Sequence, residues 1–206
     1  MVYGIIKYRL LVLLGGGYVP DSNITKKALS AAMKRLMNDK PFSKISVGDI
    51  CDECGMNRKS FYYHFKDKYS LVNWIYYTEF VDTIYGRPYE DAWTLIEDIC
   101  SYFYENKRFY TNALQVTGQN SFRDYFAEVL HPIILIYLRE IFSKSSDLEF
   151  FEIFFTDAML AALERWLMGS PCLAPDNFIT LLRNTITCVA LKIVKDIEKE
   201  EQYMAP

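Results

Sequence analysis

The chain has 206 residues, of which 51% are hydrophobic and 16% aromatic, with a formal net charge of −3. That length and apolar content assure a buried core, either as one ordinary globular unit or as a small domain with a larger one. A charge so close to neutral, taken over the whole chain, argues against a partner of strongly opposite charge such as nucleic acid.

At the N-terminus, Ile5 to Leu14 is apolar apart from Lys7 and Arg9, and Gly15, Gly16 and Gly17 follow. Ten residues are too few to span a bilayer, and no small-x-small cleavage site follows as a signal peptide requires. Residues 1–22 are therefore expected to be a poorly ordered extension, or to reflect an upstream assignment of the translation start. No membrane partner is expected.

From residue 22 onward, helical periodicity dominates everywhere. A first helix is predicted from about 24 to 37, with Ala28, Leu29, Ala32 and Leu36 as its inner stripe and Pro41 closing the link behind it. Ser46 is a good N-cap for a second helix, on which Val47, Ile50 and Cys51 share one face. Gly55 supplies the left-handed residue that stops that helix, and Met56 plugs the turn. Asn57 caps a third helix that buries Phe61 and Phe65, leaving Arg58, Lys59, Ser60, Tyr62, Tyr63 and His64 on or beside its free surface. Two helices joined by a short glycine turn form a helix-turn-helix pattern.

Asp67 caps a fourth helix, 68 to about 85, with Leu71, Ile75 and Val81 or Ile84 inward. Gly86, Arg87 and Pro88 make the clearest break in the chain. Beyond it, helices are predicted near 90–105, 107–116, 119–143, 147–168 and 175–200, separated at Gly118, Ser143–Ser146 and Gly169–Pro175. The fold class is all-α with about nine helices.

Charge is distributed unevenly along this string. Residues 21–68 hold ten basic and six acidic side chains, a balance of +4; Lys7 and Arg9 add +2, so residues 69–206 carry −9. A basic head on an acidic body suits a DNA-binding domain joined to a sensing or pairing domain.

The cysteines, at 51, 54, 100, 172 and 188, are odd in number and point to a reducing cytoplasm. Cys51 and Cys54 form a CxxC, but no second Cys or His pair stands at ligand spacing. Both fall where the second helix needs small buried residues. No metal and no cofactor are expected.

The run Gly55 to Leu71, GMNRKSFYYHFKDKYSL, resembles the recognition-helix motif of the TetR family of bacterial regulators. That pattern has a glycine turn, an N-cap, a small hydroxyl residue, an aromatic pair, His, Phe and a Lys-Asp-Lys entry into the fourth helix. The likeness spans about residues 24–74. A second stretch, Phe109 to Phe126, is similar to C-terminal regions of a subgroup that includes activators of dihydroxyacetone kinase operons.

The resemblance implies an N-terminal three-helix DNA-binding domain over 23–68 and a C-terminal helical regulatory and dimerisation domain over 69–206. It also implies double-stranded DNA as partner, a homodimer on a palindromic operator, and affinity controlled by a small-molecule or protein effector. Arg58, whose fork pairs with guanine, is the expected base reader. Ser60, Tyr62 and His64 match positions that touch backbone or bases, and Lys68 matches a phosphate-binding lysine. Ser46 or Val47 would face phosphate through backbone amides. Gly48 departs from the pattern, since some relatives carry a base-contacting basic residue there.

In the body, Phe150, Phe151, Phe154, Phe155, Met159, Leu163 and Trp166, then Leu181, Leu182, Ile186, Val189 and Ile193, are denser than one buried face requires. They are the expected pairing surface. Tyr102, Phe103, Phe109, Tyr110, Asn112, Gln115, Phe122, Tyr125 and His131 mix apolar wall with polar groups, as small-molecule sites do, while Asn112, Thr117, Gln119 and Asn120 equally suit helix capping. An enzyme is disfavoured: two distant histidines, no phosphate loop, no nucleophile elbow and no metal cluster. The competing reading is a helical adaptor, or a regulator answering to a protein partner, whose mark would be a solid core with an exposed apolar patch.

Overall fold

The structure is a computed structural model that describes residues 23–81, 89, 91–116, 121–142 and 147–204. The expectations for 1–22, Ile84, the Gly86–Pro88 break, Thr117–Asn120 and Ser143–Ser146 lie outside the described residues. Among those described there are nine α-helices and no strands.

Helix α1, Asn23–Asp39, buries Leu29, Ser30, Ala32, Met33 and Met37. Its inner stripe is therefore rotated from the expected one: Leu29, Met33 and Met37 recur every four residues, while Ala28 and Leu36 sit at the border. The methionines fill the space because an unbranched side chain adapts to an irregular gap. A short 3-10 turn, Phe42–Lys44, leads through Ile45 to helix α2, Val47–Glu53, and helix α3, Arg58–His64.

Helix α4, Lys68–Tyr76, passes into a wide π-helical turn, Tyr77–Val81. Thr78 there donates its hydroxyl to the Trp74 carbonyl at 2.8 Å. Such back-bonding opens a helix locally. The buried stripe continues through it: Val72, Tyr76 and Phe80 recur every four residues, and Val81, expected inward, is buried.

The remaining helices are α5, Ala92–Glu105; α6, Lys107–Leu114; α7, Phe122–Ile141; α8, Leu148–Met168; and α9, Pro175–Met204. Two compact units result, and both are discontinuous in sequence. One contains α1 to α4 with Glu105–Glu128, which holds α6 and the start of α7. The other contains α5 up to Tyr104, the rest of α7, α8 and α9.

The first unit centres on Tyr76, whose ring meets those of Phe80, Tyr110, Phe122, Tyr125 and Phe126 within 6.2 Å. In the second unit, α8 sends Phe155, Met159, Leu163 and Trp166 inward. Trp166 stacks on Phe178 at 4.5 Å and donates its indole N–H to the Leu173 carbonyl at 2.9 Å, which ties down the α8–α9 connection.

Candidate nucleic-acid interface

The site is built on two helices of seven residues each, far below the length at which a helix persists alone. Side-chain caps and one turn hold them. Ser46 and Asp49 form a reciprocal capping box: the Ser46 hydroxyl accepts from the Asp49 N–H at 3.1 Å, and the Ser46 N–H donates to the Asp49 carboxylate at 2.7 Å. These bonds, first from the Ser46 N–H, then from its hydroxyl and from Lys40, hold the Asp49 carboxyl down at about 2.

At the far end of α2, Gly55 adopts φ 67°. Its N–H donates to the Asp52 carbonyl at 3.3 Å, and the Met56 N–H to the Cys51 carbonyl at 2.8 Å. This is a Schellman turn. Nothing lies within 4 Å of where a Cβ on Gly55 would sit, so the requirement for glycine is conformational and not one of space. Cys54 donates its thiol to the Ile50 carbonyl at 3.2 Å and Cys51 is buried. Burial pushes both thiols up, which disfavours the thiolate that metal or redox chemistry needs.

Asn57 then caps α3 by accepting from the Ser60 N–H at 2.8 Å and from its hydroxyl at 3.2 Å. Phe61 and Phe65 anchor the helix in the core with ring centroids 5.8 Å apart. That anchoring turns Arg58, Lys59, Tyr62 and Tyr63 to solvent, the last two 58% and 82% exposed. His64 is half-buried edge-on to Tyr63 at 4.8 Å. Burial, and then the charge of Lys26, push its pKa down.

Three carboxylates of the first unit are tied into its frame. Glu53 binds Arg35 at 2.6 Å, Asp49 binds Lys40 at 3.2 Å, and Glu79 binds Lys34 at 2.6 Å. Among the described residues, Lys27, Lys44, Arg58, Lys59 and Lys66 carry no such bond, so the free positive charge includes the start of α3.

Lys68 is placed differently from a free phosphate ligand. Its ammonium donates to the Ile45 carbonyl at 2.7 Å and the Phe42 carbonyl at 2.8 Å, and lies 4.4 Å from the centre of the Phe42 ring. Burial pushes its pKa down. A cation in the first turn of a helix opposes the helix dipole; the part-buried carbonyls of Phe42, in the preceding 3-10 turn, and Ile45, its cap, supply the compensation. This role was not visible in sequence, because the carbonyls that Lys68 binds lie 23 and 26 positions away.

Gly48 is buried in the first turn of α2, and Arg58 lies over it. A Cβ placed on Gly48 would stand 2.6 Å from Nη2 of Arg58 and 3.4 Å from its Nε. Ser46 is exposed at the cap and Val47 half-buried.

The nine candidate ligand residues are divided between the two units. Phe109, Tyr110, Phe122 and Tyr125 pack into the aromatic core of the first. Asn112 there donates its amide to the Met37 carbonyl at 2.7 Å, closing the end of α1, and Gln115 is exposed at the end of α6. Tyr102, Phe103 and His131 belong to the second unit. A cavity in that unit, of about 10 Å³, is bordered by Trp93, Ile96, Ile134, Phe155, Met159 and Ile186 and by none of the nine.

The expected pairing residues also divide. Phe155, Met159, Leu163, Trp166 and Leu182 are buried within the chain, so they serve its own core. Phe150, Phe154, Leu181 and Val189 face outward, Phe150 at 64% and Phe154 at 50% exposure, and Ile153, Leu173 and Leu191 join them. Helix α9 over Pro175–Ile197 is long and apolar enough to cross a membrane by length and composition, with 17% of that stretch buried. Arg183, Asn184 and Lys192 are exposed on the same stretch, which suits a wet protein surface better than lipid.

A capped helix-turn-helix with a basic, aromatic outer face, followed by an all-helical body, defines a helix-turn-helix transcriptional regulator. Residues 28–75 match the family model for bacterial regulatory proteins of the tetR family, and residues 90–188 match its transcriptional regulator C-terminal region. The chain belongs to the TetR family.

A curated relative, the HTH-type dhaKLM operon transcriptional activator DhaS of Lactococcus lactis subsp. lactis (strain IL1403), is 31% identical over 90 residues, 43% of this chain. The match spans about half, 48%, of that relative's length. Among solved structures, a dihydroxyacetone kinase operon activator DhaS aligns at TM-score 0.59 and 21% identity, over 84% of this chain and 97% of its own. A TetR regulator from Streptococcus agalactiae 2603V aligns at TM-score 0.65 and 20% identity, over 81% and 95%. NalD of Pseudomonas aeruginosa, the secondary repressor of the MexAB-OprM efflux pump, aligns at 0.56 and 17%, over 81% and 96%. At these identities the structures share the fold alone.

Proposed function

We propose that this TetR-family chain is a sequence-specific double-stranded DNA-binding regulator. It acts as a homodimer on a two-fold operator, and an effector acting on the C-terminal helical domain, 69–206, sets its affinity. The observation that carries the reading is the outer face of α3, where Arg58, Lys59, Tyr62 and Tyr63 are exposed while Asp49 and Glu53 are held by Lys40 and Arg35. Phosphate contacts from the basic residues supply affinity, and base-edge contacts supply sequence choice. Such a regulator has no catalytic task and works in the cytoplasm beside the DNA.

A single recognition helix reads too few base pairs for genomic specificity, so two copies are required. The outward apolar residues of α8 and α9, Phe150, Phe154, Leu181 and Val189, supply the surface for pairing. A second reading of the control step rests on the outward apolar residues of the body, Phe150, Ile153, Phe154 and Leu191 among them, which offer a protein partner an apolar surface. In this reading a protein partner sets the DNA affinity.

Sequencing of the fragments that the purified protein retains from its own genomic DNA tests the reading. Enrichment of one palindromic site is expected; uniform retention of all fragments would contradict sequence-specific binding.

A further inference from the structure

Glycine in a helical turn is disfavoured relative to alanine, and Gly48 does not adopt the left-handed conformation that would require it. Its absence of side chain is explained by what lies above it. A Cβ there would meet Arg58 Nη2 at 2.6 Å, so the guanidinium would have to move away. Arg58 occupies the first position of α3, and side chains on a helix lean toward its N-terminus. Its stem thus crosses the turn and brings the guanidinium over the start of α2. Among the described residues no carboxylate pairs with it, so its donors stay free.

We propose that Gly48 and Arg58 form a single readout unit, in which the bare backbone at Gly48 is the seat that fixes the direction of the Arg58 fork toward a base edge. Gly48 is a positioning residue acting through Arg58, and the chain reads with the arginine of α3 from the space above the first turn of α2. The inference rests on the DNA-binding reading above and adds a coupling between two positions. Because the clashing atoms are the far end of a flexible side chain, alanine at 48 leaves the fold intact and re-aims only the guanidinium.

The test is selection from a pool of randomised double-stranded DNA by the full-length protein, followed by affinities of wild type, Gly48→Ala, Arg58→Ala and the double variant for the selected duplex and its single-base-pair changes. Thermal unfolding of each variant is measured in parallel. A forked arginine–guanine contact discriminates by roughly 5- to 150-fold. Arg58→Ala is expected to lose that discrimination at one base pair per half-site. Gly48→Ala is expected to weaken it at the same base pair by about fivefold or more, with an unfolding temperature no lower than wild type, and to have no further effect in the Arg58→Ala background. Effects of the two substitutions that multiply, or that fall on different base pairs, would overturn the coupling and leave DNA binding standing. A wild-type protein that enriches no sequence would overturn the DNA reading itself, and the coupling with it.

Discussion

The helix-turn-helix and the C-terminal body are both helical, and they are held by different physics. Helices α2 and α3 have seven residues each, and side-chain bonds from Ser46 and Asn57 fix their starts. Helices α8 and α9 have 21 and 30 residues, and Asp147 at the start of α8 makes no side-chain cap bond. Short helices depend on local caps and a few anchors; long ones depend on buried area and leave apolar surface over for a partner. Substitutions in the head should therefore act sharply at single residues, and those in the body should act on association.

The largest effect is expected at the anchor of the head. Phe61→Ala removes a fully buried ring packed against Phe65 and should cost about 3–5 kcal/mol, read by chemical denaturation. A change under about 1 kcal/mol would mean that α3 is held by its caps instead.

Lys68 separates a structural lysine from a phosphate-binding one. Lys68→Met should lower stability by about 1.5–3 kcal/mol, the range for hydrogen bonds to a charged group, because the Phe42 and Ile45 carbonyls lose their cationic donor. The salt dependence of DNA binding should keep its slope. Unchanged stability with a slope shallower by about one would assign Lys68 to phosphate.

In the body, Phe154→Glu should leave the fold intact and weaken self-association by roughly 2 kcal/mol, about 30-fold in dissociation constant. Sedimentation equilibrium reads it, and a wild-type protein that is monomeric at micromolar concentration would remove the homodimer.

The smallest effect is the acid response of the capping box. The Asp49 carboxyl sits at about 2 against an ordinary 3.8, so its contribution is fully present above 3.8 and is lost as pH falls toward 2. Unfolding temperatures of wild type and Asp49→Asn should differ at neutral pH and converge in that window. A constant difference down to pH 2 would place the stabilisation elsewhere.

The same contrast explains what could be read from the sequence. Ser46, Gly55, Asn57 and Asp67 mark helix ends through bonds spanning a few residues, so the helix ends of the head are legible in the sequence. Phe150 and Phe155 look alike as letters, yet one is exposed and the other buried, because burial is decided by elements far along the chain. The interleaving of Glu105–Glu128 with the N-terminal helices has no local signal either. Gly48 read as a gap in the readout, and its relation to Arg58 emerged only when two helices were set side by side.

The most direct test of the central claim is dimethyl sulfate protection of guanine N7 on the genomic fragment that the protein retains. Binding is expected to protect one guanine in each of two symmetric half-sites, and Arg58→Ala is expected to restore their reactivity while leaving the unfolding temperature in place. Guanines that remain reactive in the wild-type complex, or that stay protected in Arg58→Ala, would contradict reading of the operator by Arg58.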